Sequence, residues 1–180
     1  MNPERADVHE TWTGRICVQV GGTTALDDVP GGVELAVEAA ELALPPTGPG
    51  CTVRLVDEAE SRRLNHQHRG RDAATNVLSF PNALPAEWLA VLPEDQAPRT
   101  LGDIAVCLPV TRAEAATQGK RLRDHFVHLI VHGVLHLRGF DHITDPEAEE
   151  MERLECELLA SRGIGNPYDD TRGHPTDSHG

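Results

Sequence analysis

The segment from Leu122 to Leu137 most limits how this chain can fold. Its apolar residues Phe126, Val127, Leu129, Ile130, Val131, Val134, Leu135 and Leu137 would surround a helix on most sides, and such a helix belongs in the interior. The same helix carries His132 and His136. Residues four apart lie about 40° apart around a helix axis and about 6 Å apart along it, so the two imidazoles stand side by side. His142 is beyond helical reach unless the chain turns, and Gly139 is the residue type that ends a helix in a left-handed conformation. The run 132–142, HGVLHLRGFDH, therefore predicts a helix end folded back to gather three imidazoles. Three neutral imidazoles suit one Zn²⁺ at about 2.0–2.1 Å, and a catalytic zinc keeps its fourth position open to water.

Histidines at positions one, five and eleven with a glycine at eight reproduce the long zinc-peptidase signature, whose second position is a glutamate acting as general base. Here that position is Gly133. Ligands without the base are poorly built for peptide hydrolysis, so a zinc metallopeptidase is the weaker alternative and needs a glutamate from elsewhere. His128, one turn before His132, shares its face; it is read as orienting a ligand or packing, because a fourth protein ligand would close the site. Asp141 is read as orienting a ligand, shuttling a proton or capping the turn.

With 180 residues the chain is sized for one domain. Cys17, Cys51, Cys107 and Cys156 are far apart, which predicts reduced thiols rather than a disulfide framework or a thiolate metal site. The N-terminus lacks the apolar core of a signal peptide, and no run approaches the ~18 apolar residues of a membrane span. A cytoplasmic protein with no membrane partner is expected. The net charge of −13 argues against coating nucleic acid through bulk charge. Residues 62–71, however, hold Arg62, Arg63, Arg69 and Arg71 with His66 and His68 and no acid. Such a local patch binds phosphate with salt-sensitive affinity.

The patterns predict strands at 15–20, 51–56, 76–81 and 101–108 and helices at 32–44, 57–66, 109–118, 122–137 and 145–162, with Asp57 and Glu60 forming a capping box. The expected class is α+β: a mixed sheet of about four strands packed with about five helices, the buried central helix carrying the metal ligands. Residues 1–14 read as a flexible extension, 15–168 as the single domain and 169–180 as a disordered tail. A proline-rich loop spans 81–98.

HGVLHLRGFDH resembles the signature of the YbeY endoribonucleases, the bacterial rRNA maturation factors. The likeness continues in Arg69, Gly70, Arg71 and Asp72, in Thr75 to Pro81 (TNVLSFP) and in Leu101, Gly102, Asp103 and Ile104. It implies a zinc metalloprotein holding one Zn²⁺ per chain through His132, His136 and His142, with Arg69 needed for RNA processing. It implies cleavage of single-stranded RNA, maturation of rRNA including the 16S 3′ end, and ribosome quality control, with the ribosome or its proteins as partners. Under that reading Arg62, Arg63 and Arg71 are candidates for RNA contact or for a solvated face. A non-catalytic ribosome-associated zinc protein is the other alternative, and it predicts a closed four-ligand site.

Overall fold

The computed structural model describes residues 9–82 and 100–169. Within them β1 (His9–Thr13), β2 (Ile16–Val20), β3 (Gly50–Val56), β4 (Val77–Pro81) and β5 (Thr100–Cys107) form one sheet in the order β1-β2-β3-β5-β4. β2, β3 and β5 are parallel, while β1 and β4 close the two edges antiparallel to their neighbours. Five α-helices accompany them: α1 (Gly32–Ala43), α2 (Glu58–Arg69), α3 (Leu108–Thr117), α4 (Leu122–Leu137) and α5 (Asp145–Ala160). The α+β class with a mixed sheet is as expected, with one strand more than the pattern predicts.

The additional strand is β1. Four of its five residues are exposed, so it lacks the alternation that marks a half-buried strand. Backbone pairing holds it instead, from His9 opposite Val20 to Thr13 opposite Ile16. The extension expected at 1–14 is therefore corrected from His9 onward. Residues 1–8, the tail from 170 and most of the proline-rich loop, 83–98, lie outside the described residues.

Ile16, Val18 and Val20 of β2, Val53 and Leu55 of β3, and Ile104 and Val106 of β5 share one face of the sheet, as the two-residue period of strands requires. That face is covered by α1 through Leu35, Ala36 and Ala39 and by α4 through Phe126, Ile130, Val131 and Val134. Each such large side chain contributes about 1.5–3 kcal/mol when fully buried. The other face is covered at one end, where Val56, Leu78, Ala105 and Cys107 meet Leu64 of α2 and Val110 of α3. α4 touches α1, α3, α5, β4 and β5, which makes it the central helix. Burial pushes the Cys51 thiol up to about 12, in keeping with an inert core cysteine.

α4 approaches the sheet most closely at Gly133. A Cβ there would stand 3.0 Å from Ile104 Cγ2 and 3.3 Å from Val77 Cγ2, and the Ser79 hydroxyl donates to the Gly133 carbonyl at 3.2 Å. The glycine standing where peptidases keep a glutamate thus has a packing cause. Gly133→Glu is expected to cost at least about 3 kcal/mol through overpacking and an unpaired buried charge. That corresponds to a fall in Tm of roughly 6–12 °C. A variant as stable as wild type in thermal unfolding would contradict this packing.

Asp57 caps α2 as predicted: Oδ1 accepts the Glu60 N–H at 2.9 Å, and Oδ2 accepts the Thr23 N–H and hydroxyl at 2.9 and 3.0 Å. Glu60 does not complete the reciprocal box. It is buried and bonds the Arg54 guanidinium of β3 at 2.7 and 3.2 Å, because an interior carboxylate needs a cation more than it needs another N–H. The Glu60 N–H, then the Thr23 N–H, hold the Asp57 carboxyl below its ordinary value. A depressed carboxylate stabilises the fold above its unfolded pKa of about 3.9 and loses that contribution as pH falls through the folded value. Asp57→Ala is therefore expected to cost about 1–2 kcal/mol at neutral pH. In denaturant titrations its gap from wild type should begin to narrow near pH 4 and close only below the depressed folded pKa, where the carboxyl is protonated in both states.

Candidate metal centre

The centre is built by the way α4 ends. Gly139 takes φ +92°, the Phe140 N–H donates to the Leu135 carbonyl at 3.1 Å, and the Gly139 N–H donates to the His136 carbonyl at 3.0 Å. These paired bonds turn the chain back at a helix C-terminus. The turn places the Phe140 carbonyl 2.9 Å from His136 Nδ1 and carries Asp141 and His142 over the end of the helix. Asp141 Oδ1 accepts the His142 N–H at 2.8 Å, which fixes the turn. The ring centroids of His132 and His136 are then 4.6 Å apart, with His142 5.8 and 5.0 Å from them. One donor atom from each of the three lies within 4.8 Å of the others.

Hydrogen bonds decide what those atoms can do. The Phe140 carbonyl only accepts, so His136 Nδ1 carries the proton and Nε2 keeps its lone pair. His132 Nδ1 lies 2.6 Å from Glu155 Oε1, so it too is the donor, and in the neutral ring its Nε2 is also a lone pair. The two Nε2 atoms face each other at 3.1 Å. Two lone pairs aimed together at this range repel unless a cation lies between them. Their separation is close to the ~3.3 Å edge of a tetrahedron with metal–nitrogen bonds of about 2.0–2.1 Å. Burial first, and then the neighbouring His132 and His142, pull the His136 pKa down and keep its imidazole neutral, the form that ligates. By donor chemistry and spacing, the group fits a zinc ion.

Glu155 is the participant that sequence reasoning misses. It is 0 % exposed on α5 and accepts from His132 Nδ1 through Oε1 and from the Tyr168 hydroxyl through Oε2. Burial pushes its pKa up, but the hydrogen bonds from His132 and the Tyr168 hydroxyl outweigh burial and hold it at about 2. His128 sits beside this carboxylate rather than in the triad. Its Nε2 is 3.8 Å from Glu155 Oε2, beyond hydrogen-bond range, and its ring is edge-on to Tyr168.

A cleft of about 610 Å³ opens over the triad, lined by His132, His136, His142, Asp141, Ser79, Asn76 and Arg69 among others. Arg69 reaches it from the last turn of α2, which Gly70 closes at φ +68°. Among the described residues the Arg69 guanidinium makes no ion pair, whereas Arg62 is held at 2.6 and 2.7 Å by Asp72 and Arg63 lies 3.9 Å from Glu60. Arg71 is exposed and does not line the cleft. Of the four arginines at 62–71, Arg69 alone is placed beside the histidines.

A mixed sheet, a central helix and a three-histidine group able to hold a metal beside an arginine-lined cleft define the class. The chain belongs to the endoribonuclease YbeY family, whose model, described as Endoribonuclease YbeY, matches residues 33–163. It is 56% identical over 119 residues to Endoribonuclease YbeY of Pseudomonas putida (strain W619), covering 66% of this chain and 71% of that protein. It is 46% identical over 156 residues to Endoribonuclease YbeY of Stutzerimonas stutzeri (strain A1501), covering 84% and 88%. The solution structure of TM1509 from Thermotoga maritima is similar at a TM-score of 0.50 and 25% identity, over 90% of this chain and 97% of that one.

Proposed function

We propose that this protein is a zinc-dependent endoribonuclease that cuts single-stranded RNA. Ribosomal RNA, including the 16S 3′ end, is its substrate, and ribosome quality control and association with the ribosome are its setting. Family membership supports the RNA substrate and a cytoplasmic setting. Among the described residues no helix is long and apolar enough to cross a membrane.

The observation that carries this reading is the pairing, in one cleft, of two imidazole lone pairs 3.1 Å apart with an arginine free of ion pairs among the described residues. Zinc held by His132, His136 and His142 would supply Lewis-acid charge at a phosphodiester oxygen and ease the ionisation of an attacking water. Arg69 binds the scissile phosphate: its planar, permanently charged guanidinium offers two donors to two oxygens and opposes the charge that develops there. Asp141, on the same wall, takes the proton released by the attacking water and returns it to the ribose oxygen that leaves as its bond to phosphorus breaks.

Among the described residues no glutamate lines the cleft, and Gly133 is packed under the sheet, which weighs against the peptidase alternative. The full chain loaded with Zn²⁺ is expected to cut a single-stranded RNA oligonucleotide and leave an unstructured peptide intact. Peptide cleavage with untouched RNA would overturn the assignment.

A further inference from the structure

We propose that Glu155 and Tyr168 are positioning residues for the metal ligand His132, so that the segment after α5 belongs to the metal centre; this rests on the metal-binding reading of the histidine cluster. Met151, Glu155 and Leu159 form the buried stripe of α5, spaced four apart. A carboxylate in such a stripe is costly unless paired and fully hydrogen-bonded. Here both oxygens are engaged, Oε1 by the His132 Nδ1–H and Oε2 by the Tyr168 hydroxyl.

Tyr168 is itself held in place. Lys120 Nζ donates to the Pro167 carbonyl at 2.7 Å, and Asn166 Oδ1 accepts the Tyr168 N–H at 2.9 Å and the Cys156 thiol at 3.3 Å. These contacts seat the tyrosine against α4 and α5, where its hydroxyl fixes one carboxylate oxygen and leaves the other for His132.

A second metal shared by His128, His132 and Glu155 is the competing reading of the same atoms. Distance decides against it. Two ligands of one tetrahedral zinc stand about 3.3 Å apart, whereas His132 Nδ1 and Glu155 Oε1 are 2.6 Å apart, which is the distance of a shared proton. A carboxylate on the remote nitrogen fixes the tautomer, aims the Nε2 lone pair and raises its basicity. Substituting such partners commonly lowers metal affinity about 10–100-fold.

The test uses the full-length chain, Zn²⁺ with a competing chelator, and the imidazole ¹⁵N shifts of His132 in the metal-free protein. Glu155→Gln should weaken Zn²⁺ about 10–100-fold and reduce the Nδ1–H tautomer of His132. Tyr168→Phe should weaken Zn²⁺ several-fold in the wild-type background and have no further effect when combined with Glu155→Gln, since it acts through that carboxylate. Tyr168→Phe supplies the answer alone if Glu155→Gln does not fold. Zn²⁺ affinity and His132 tautomer unchanged in both variants would overturn the proposal. So would a Tyr168→Phe effect of equal size in both backgrounds. A wild-type chain that binds no Zn²⁺ would instead remove the metal-site reading beneath it.

Discussion

His136→Ala is expected to abolish stoichiometric zinc binding and RNA cleavage together while leaving the fold intact. The side chain is half-buried at the last turn of α4, and among the described residues its one hydrogen-bond partner besides the triad is the Phe140 carbonyl. Truncation therefore leaves one carbonyl to find another donor, a loss of roughly 1 kcal/mol. The ligand set falls from three imidazoles to two. Replacing residues behind a ligand costs about 10–100-fold in affinity, so removing the ligand itself should exceed about 100-fold. Metal content after dialysis should drop from one zinc per chain toward zero, with RNA cleavage falling in step and far-ultraviolet circular dichroism unchanged. A variant that keeps one tightly held zinc would show that the ion is bound elsewhere.

Arg69→Glu separates the two halves of the site. The arginine is exposed and makes no ion pair among the described residues, but it lies in the last turn of α2, so charge reversal should cost about 1 kcal/mol through the helix dipole and leave zinc content unchanged. Removing one group that stabilises transition-state charge typically costs about 10²–10³ in kcat, and reversing the charge beside a phosphodiester should reach at least that range. Arg69→Lys keeps a charge but loses the two-pronged donor and should fall between wild type and the glutamate variant. Arg62→Ala should have a small effect by comparison. Its guanidinium is taken up by the bidentate bond to the exposed Asp72, and it does not line the cleft over the histidines. Cleavage by Arg69→Glu at the wild-type rate would remove this residue from the chemistry.

The parts of this molecule legible in its sequence are those made by short-range chemistry. The apolar circumference of α4, the four-residue spacing of His132 and His136, and the glycine at 139 are enough to predict a buried helix whose end folds back, and that is how the triad is assembled. Asp57 is legible as a cap for the same reason. What escapes is set by contacts between distant segments. β1 is an exposed edge strand held by backbone pairing, so its side chains carry no alternation. Gly133 is legible as the absence of a base, but Ile104 and Val77, which make glycine necessary there, lie far away in the chain. Glu155 is hidden among seven acids at 145–157. The available signal is its place between Met151 and Leu159, where a charge interrupts an apolar stripe and so demands a buried partner. Nothing local to Tyr168 foretells that partner.

A metal centre of three histidines that serves RNA cleavage beside Arg69 must lose and regain its activity with the ion. The most direct measurement strips the full-length chain of metal with a chelator and follows cleavage of a single-stranded RNA during stepwise return of Zn²⁺, on wild type and His132→Ala purified in parallel. The metal-free protein should not cleave, activity should recover to saturation at one equivalent of zinc, and the His132→Ala chain should recover none at any equivalent. Undiminished cleavage by the metal-free protein, or equal recovery by His132→Ala, would contradict it.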